Sequence, residues 1–213
     1  MEPTPASIWK TAEHALDYLR RADGIPHRPE GEAVLLDFIP ARAARILDLG
    51  SGNGRLVRLV KSVHPQVKAV ALDFSPPMLE TLKNNFGGDS SVTIVSHNLE
   101  QPLPDLGRFD AVVSSLAIHH LPDPRKRALY GEIYEALASG AVFLNLEHVT
   151  SPTQELRESF QARYMHRQVE NDASNIYLDM ETQLQWFREI GFTNVDCYWK
   201  WLELALIGGK RLE

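Results

Sequence analysis

The chain is poor in cysteine, in basic residues and in long apolar runs. Cys197 is its only cysteine, so an intramolecular disulfide is excluded and a reducing compartment is expected. Acidic residues outnumber basic ones, 28 to 22, and nucleic-acid partners are therefore not expected, because phosphate binding draws on lysine and arginine. No apolar run approaches the roughly 20 residues that span a bilayer. Residues 1–10 show no secretory signal. These absences predict a soluble cytoplasmic protein without a membrane partner.

Short apolar segments alternate with helical ones through the middle of the sequence. The pattern predicts strands at 46–49, 67–74, 92–96, 109–117 and 141–149, with helices at 55–64, 76–86 and 125–138. Such alternation favours a parallel sheet with helices on both faces. After residue 150, helices at 153–169 and 180–190 precede two strands, 192–201 and 202–208. Strands with almost nothing between them must be antiparallel, so the sheet is expected to end in a hairpin.

A glycine-rich turn, Asp48-Leu49-Gly50-Ser51-Gly52-Asn53-Gly54, joins the first strand to a helix. Asp73 follows at the end of the second strand, where an acid accepts hydrogen bonds from ribose hydroxyls. A dinucleotide fingerprint would place a third glycine where Arg55 stands. A carboxylate at Asp48 would repel a pyrophosphate, but it suits a ligand with an ammonium and a sulfonium. The turn thus predicts S-adenosylmethionine (SAM), with a nicotinamide enzyme as the alternative.

Three segments together resemble the class I SAM-dependent methyltransferases. They are ILDLGSGNG at 46–54, ALDFSPPML at 71–79 and FDAVVSSLAIHHLPDP at 109–124. The resemblance covers about residues 45–150. It implies an α/β Rossmann-like three-layer sandwich, whose seven-stranded, mostly parallel sheet has an antiparallel last strand. The tail more weakly resembles small methyltransferases related to the tRNA wobble-uridine carboxymethyl-transferring branch, which use a modified SAM.

The resemblance also implies a set of cofactor-binding residues. The glycines would approach the methionine part of SAM, Asp48 its amino group and Asp73 its ribose, whereas Asn98 stands where the family usually has aspartate. The full set is Asp48, Gly50, Ser51, Gly52, Asn53, Gly54, Asp73, Phe74, Met78, Asn98, Leu99, Ser114 and Leu116. Phe74 and Met78 would flank the adenine, and Ser114 and Leu116 would line the mouth near the sulfonium.

Candidate catalytic residues follow the fourth strand. Methyl transfer is an in-line displacement that alignment alone can accelerate, and a base is needed only if the acceptor must lose a proton. His119 and His120 are the candidate bases. The alternative is that His119 packs beside the cofactor and His120 caps the next turn. Neighbouring histidines point apart on a strand end, so no metal site is expected.

The segments outside the matched core are expected to select the acceptor. A single domain, 1–213, would comprise a helical lid (1–44), the SAM-binding core (45–150), an acceptor-side helical insertion (151–191) and a terminal hairpin (192–210). Candidate acceptor contacts are Tyr18, Arg28, Glu147, Tyr164 and Arg167. The alternative is that the ring of Tyr164 packs in the core and that the arginines are solvated. The predicted function is methyl transfer from SAM to a small molecule, with S-adenosylhomocysteine (SAH) as product. An RNA- or protein-directed methyltransferase, a non-catalytic nucleoside-binding protein and assembly into a homodimer remain open.

Overall fold

The computed structural model describes residue 9, residues 11–165 and residues 174–213. Within these, helices and strands alternate as the sequence predicts. They are α1 (Ala12–Ala22), α2 (Arg28–Phe38), β1 (Arg45–Leu49), α3 (Arg55–Val63), β2 (Lys68–Asp73), α4 (Pro76–Phe86), β3 (Val92–Ser96), β4 (Phe109–Ser115), a 3-10 turn (Ile118–His120), α5 (Asp123–Ala136), β5 (Leu137–His148), α6 (Gln154–Met165), α7 (Met180–Ile190), β6 (Thr193–Trp201) and β7 (Leu204–Lys210).

The seven strands form one sheet in the order β3-β2-β1-β4-β5-β7-β6. Strands β1 to β5 pair in parallel, and β7 is antiparallel to both of its neighbours. The predicted fold class is therefore confirmed, including the terminal hairpin. The strand order runs outward from β1 through β2 to β3 on one side, and from β4 to β5 on the other. The order of the strands therefore reverses between β1 and β4. A crevice at the carboxyl ends of strands opens at such a reversal.

Apolar side chains cover both faces of the sheet. On one face Val112 and Phe143 pack with Leu184 of α7, and on the other Val113 packs with Leu35 of α2 and Val57 of α3. Burial on both faces explains why β4 reads as a nearly continuous run of apolar and small residues. This packing on both faces fixes the positions of the strands and of their carboxyl ends.

Two boundaries differ from the expectation. The predicted helix 125–138 ends at Ala136, and β5 begins at Leu137 and not at residue 141, because the buried Leu137 already pairs with Phe109 of β4. Within this part of β5, Gly140 has a φ of +73°, near an irregularity in the pairing of β4 with β5. Residues 166–169 of the predicted helix 153–169 lie outside the described residues, and so do residues 1–8 and 10 of the predicted helical lid 1–44. In the described part of the chain, no helix is long and apolar enough to cross a membrane.

Candidate active site

The glycine turn after β1 lies at the floor of a cleft of about 1050 Å³, counting space open to solvent. The backbone N–H groups of Gly50 and Ser51 donate to the carbonyl of Leu72, at 2.8 and 2.9 Å, which ties the turn to the end of β2. Gly50 has a φ of +68°, and a Cβ there would lie 2.3 Å from the Cβ of Ala117. Only glycine therefore lets the turn pass this close to the segment after β4.

Of the five predicted cofactor contacts at 50–54, four line this cleft and one does not. Residues 50–53 all contribute to the lining, whereas Gly54 is absent from it. A Cβ on Gly54 would lie 2.3 Å from the ring of Phe86 and 2.7 Å from Leu82. This glycine thus allows α3 and α4 to pack closely, and its predicted contact with a ligand is not supported.

Two buried aspartates line the cleft and differ in their hydrogen bonds. Asp73 accepts the N–H of Gly52 at 2.8 Å and that of Ser75 at 2.9 Å, one on each carboxylate oxygen. Asp48 is 1% exposed, and its Oδ2 has no hydrogen-bond partner among the residues described. Burial raises the pKa of Asp48 to about 7, against the opposing hydrogen bond of Ser51. An orphaned, buried carboxylate oxygen in a cleft calls for a cationic ligand group.

The opposite side of the cleft carries the predicted apolar residues. Phe74, Met78 and Leu99 line it, together with Asn98. The Asn98 amide is tied to Glu100, because its Oδ1 accepts the Glu100 N–H at 3.0 Å and its Nδ2 donates to the Glu100 carboxylate at 3.1 Å. Glu100, which was not predicted as a site residue, also lines the cleft. The amide carbonyl keeps a second lone pair for a ligand.

The end of β4 corrects one predicted residue. Ser114 is fully buried and its hydroxyl donates to the Leu49 carbonyl at 3.0 Å, so it faces β1 and is not part of the cleft lining. Ser115 lines the cleft in its place, because side chains alternate between the two faces of a strand. Leu116 also lines the cleft, as predicted, and its φ of +58° turns the chain out of the strand.

The two histidines after β4 have different surroundings. His120 lines the cleft, and its ring centroid is 3.9 Å from that of His119. His119 is buried behind it, with Nδ1 2.5 Å from a carboxylate oxygen of Glu147. Glu147 also accepts the backbone N–H groups of His119 and His148, at 2.9 and 2.8 Å. Burial raises the pKa of Glu147 and lowers that of His148 to about 4. The α5 helix begins after Pro122 without a side-chain cap, so His120 does not cap it.

A buried ion-pair network closes the cleft on the side of the glycine turn. Arg28 is 5% exposed and lines the cleft beside Asp48. Its Nε donates to Glu32 at 2.8 Å, and Glu32 also accepts three hydrogen bonds from the guanidinium of Arg55. Arg55 follows the glycine turn directly and lines the cleft too. It was not predicted as a site residue, although it stands where a dinucleotide fingerprint would have its third glycine. The network ties α2 to the start of α3.

The remaining candidate acceptor contacts are only partly brought to the cleft. Tyr18 and Arg28 line it, whereas Glu147 does not. Tyr164 belongs to α6, but its side chain lies outside what the structure describes, and so does the whole of Arg167. Over residues 9, 11–165 and 174–213, no three His, Cys, Asp or Glu side chains converge as they would around a metal ion.

Comparison with known proteins agrees with this geometry. A sequence model described as a methyltransferase domain matches residues 46–140. A demethylmenaquinone methyltransferase from Thermus thermophilus is 36% identical over 51% of this chain and 49% of its own length. One from Clavibacter sepedonicus is 30% identical over 74% of this chain and 69% of its own.

A similar fold occurs in an O-methyltransferase family protein from Burkholderia thailandensis. The TM-score is 0.77 at 19% identity, over the whole of this chain and 64% of that one. This chain therefore spans about half of the Thermus relative and less than two thirds of the Burkholderia protein. The alignment with the Clavibacter relative covers more than two thirds of both chains. The predicted family is thus confirmed: the chain belongs to the class I SAM-dependent methyltransferases.

Proposed function

We propose that this protein transfers a methyl group from SAM to a small-molecule acceptor and releases SAH. The observation that carries the proposal is the buried carboxylate of Asp48 beside the glycine turn, whose Oδ2 has no hydrogen-bond partner among the described residues. It supplies the negative charge that the ammonium of SAM requires, in a place where a pyrophosphate would be repelled. A nicotinamide cofactor fits this cleft poorly for the same reason.

The residues of the cleft fit the rest of SAM. Each carboxylate oxygen of Asp73 has accepted one backbone N–H and keeps a lone pair for a ribose hydroxyl. Phe74, Met78 and Leu99 supply an apolar site for the adenine, with the Asn98 amide at its edge. When bound, SAM supplies a methyl group activated by a positive sulfur. The chain's own contribution is to align it and to exclude water.

We further propose that Arg28 serves the cofactor more than the acceptor. It lies beside Asp48, and its positive charge opposes the rise in the pKa of that carboxyl. A guanidinium next to an orphaned carboxylate matches the carboxylate and ammonium of an amino acid. Glu32 anchors the guanidinium from behind, so that little side-chain entropy remains to be lost when a ligand binds.

A small acceptor is supported by the cover over the cleft. Trp9 lines the cleft and is buried against Tyr18 and Met78. Its indole N–H donates to the Ser174 hydroxyl at 3.2 Å. We take this aromatic lining to favour a small acceptor over a macromolecule. Two relatives are named demethylmenaquinone methyltransferases, which makes a reduced quinone ring one acceptor to test.

We place the protein in the cytoplasm because a single cysteine, Cys197, suits a reducing compartment. The net charge of −6 favours a small-molecule acceptor over RNA. Assembly into a homodimer stays a prediction.

Isothermal titration with SAM, SAH and NADH tests the cofactor. We expect the two adenosyl ligands to bind and NADH not to bind, with binding lost in Asp48→Ala and Asp73→Ala. Asp105→Ala, at an exposed site far from the cleft, is the control that should bind normally. Binding of NADH alone would overturn the proposal. Transfer of labelled methyl groups to a panel of phenols and reduced naphthoquinones then tests the acceptor class, and labelling of RNA alone would contradict it.

A further inference from the structure

Two polar side chains line the apolar end of the cleft, in the turn that follows β3. They are Asn98 and Glu100, and the apolar residues beside them are Phe74, Met78 and Leu99. The adenine of SAM is placed at this end by the proposed function. The edge of adenine carries a 6-amino group, which donates hydrogen bonds. A site that recognises this edge therefore needs an acceptor, and the two polar side chains are the candidates.

The hydrogen bonds between these two residues fix the orientation of the Asn98 amide. Its Oδ1 accepts the backbone N–H of Glu100 at 3.0 Å, and its Nδ2 donates to Oε2 of the Glu100 carboxylate at 3.1 Å. A backbone N–H can only donate and a carboxylate can only accept, so turning the amide over would lose both bonds. The Asn98 carbonyl is thus already engaged. The carboxylate has several lone pairs, of which the amide takes one.

The turn that carries both side chains is held in place by α5. The N–H of Gln101 donates to the Asn98 carbonyl at 2.9 Å, which closes the turn. The guanidinium of Arg125 donates to the carbonyls of Leu99 and Gln101, at 2.7 and 2.9 Å, and Glu132 accepts from the same guanidinium at 2.7 Å. A site that is ordered before binding loses little freedom when a ligand arrives. This turn is therefore suited to distinguish ligands that differ in one group.

The same turn is joined to the aspartate proposed for the ribose. The N–H of His97 donates to the backbone carbonyl of Asp73 at 2.9 Å, one residue after Ser96 pairs with Asp73 in the sheet. A nucleoside whose ribose is bound by Asp73 therefore has its base beside the turn.

We propose that the Glu100 carboxylate accepts the 6-amino group of the cofactor's adenine, and that Asn98 is a positioning residue that holds this carboxylate at the cleft. The inference rests on the proposed function and deepens it, because it makes Glu100 the residue that selects a 6-aminopurine. A hydrogen bond to a charged acceptor is about twice as strong as one to a neutral carbonyl, so the carboxylate is the better partner for the amino group. A 6-oxopurine presents an acceptor at the same place, and the carboxylate repels it.

Removing the amino group from the ligand and the carboxylate from the protein tests this pairing. Titration calorimetry compares SAH with an analogue that has hydrogen in place of the 6-amino group and is otherwise identical. In the unmodified protein we expect the analogue to bind at least about tenfold more weakly than SAH. In Glu100→Ala the two ligands should bind with nearly equal affinity, because the acceptor for the amino group is gone.

Two variants of the same turn separate recognition from positioning. Asn98→Ser keeps an oxygen that can accept the Glu100 N–H but removes the amide donor, so it should reduce the difference between the two ligands without abolishing it. Gln101→Ala is the matched control, because Gln101 is exposed in the same turn and does not line the cleft. That variant should keep the full preference for SAH.

Glu100→Gln keeps the length of the side chain and guards against a distorted turn in Glu100→Ala. Its amide can present an N–H to the ligand and its carbonyl to Asn98, so it should raise the affinity for the 6-oxo analogue, S-inosylhomocysteine, relative to SAH. An equal loss of affinity for both ligands in this variant would count against the pairing.

The remaining outcomes each have one meaning. A preference for SAH that persists in Glu100→Ala and disappears in Asn98→Ser would overturn the inference, since Asn98 would then be the acceptor. Loss of the preference in Gln101→Ala would overturn it as well, because general loosening of the turn would explain the result. Failure of SAH to bind the unmodified protein would refute the proposed function. Binding of SAH that does not depend on its amino group would refute this inference alone.

Discussion

Replacing Asp48 with asparagine should stabilise the ligand-free protein while it removes the affinity for SAM. Burial raises the pKa of Asp48 from 3.8 to about 7. Above pH 7 the folded protein therefore holds a carboxylate where its charge is disfavoured. A displacement of this size corresponds to about 4 kcal/mol, at about 1.36 kcal/mol for each pH unit. Asparagine has similar shape and carries no charge, so it avoids this cost.

The pH dependence of this gain has a definite sign. Because the folded-state pKa of Asp48 lies above the unfolded value, the folded protein binds the extra proton between about pH 4 and pH 7. The stability of the ligand-free protein therefore falls as the pH rises through that window. Asp48→Asn does not take part in this loss. Its advantage over the unmodified protein should grow by about 2 kcal/mol between about pH 5.5 and about pH 8.

Urea unfolding at these two pH values measures the gain, and titration calorimetry with SAH measures the loss of binding. Asp110→Asn is the matched control, because Asp110 accepts the N–H groups of Ala44 and Arg45 at 2.8 and 2.9 Å. That change should destabilise the protein by about 1–3 kcal/mol. A stability gain in Asp48→Asn that is absent, or that does not change with pH, would refute the electrostatic reasoning. Unchanged affinity for SAH would refute the assignment of Asp48 to the ammonium group.

Three further changes test single features of the structure. Gly50→Ala should weaken SAH binding at least tenfold in calorimetry, because its Cβ would lie 2.3 Å from that of Ala117. Adding Ala117→Gly should restore part of the affinity, and an unchanged affinity in the double variant would argue against this clash. Asn145→Leu should raise the free energy of unfolding, measured in urea, by about 1–3 kcal/mol. Both polar side-chain atoms of this fully buried residue lack a partner in the described part of the chain. A lower free energy of unfolding in this variant would indicate that Asn145 binds a water molecule. Glu32→Gln should cost about 3–5 kcal/mol, since it leaves two arginines without their shared carboxylate, and a neutral result would contradict the network.

The core of the site could be predicted because its signals are local. The glycine turn and Asp73 need only short stretches of sequence to define their positions at the ends of β1 and β2. The error at Ser114 has a physical cause. The motif Ser114-Ser115 offers two equivalent side chains, and a strand sends them to opposite faces. Which serine reached the cleft depended on the register of β4 against β1, which the motif does not contain.

The contact between Trp9 and Ser174 could not be predicted in the same way. Trp9 and Ser174 are 165 positions apart, and no local pattern connects them. The Glu32 network was missed for a related reason, since a charged residue on a helix is usually solvated. Glu32 is buried because two arginines, one of them from the next helix along the sheet, neutralise it. Tyr164 and Arg167 as acceptor contacts stay predictions.

The histidine doublet shows why a motif can locate chemistry without assigning it. In a 3-10 turn successive side chains are about 120° apart, so adjacent histidines there cannot face one cleft together. The turn Ile118–His120 sends His119 inward, where Glu147 at the end of β5 binds it, and leaves His120 at the cleft. The Glu147 carboxylate binds the inner ring, whereas Nδ1 of the outer ring lies 3.2 Å from the Ser174 carbonyl oxygen. Single substitutions separate the two positions: His119→Gln changes the partner of Glu147 and His120→Gln changes the cleft lining, so we expect their effects on kcat in a methyl-transfer assay to differ although the residues are neighbours.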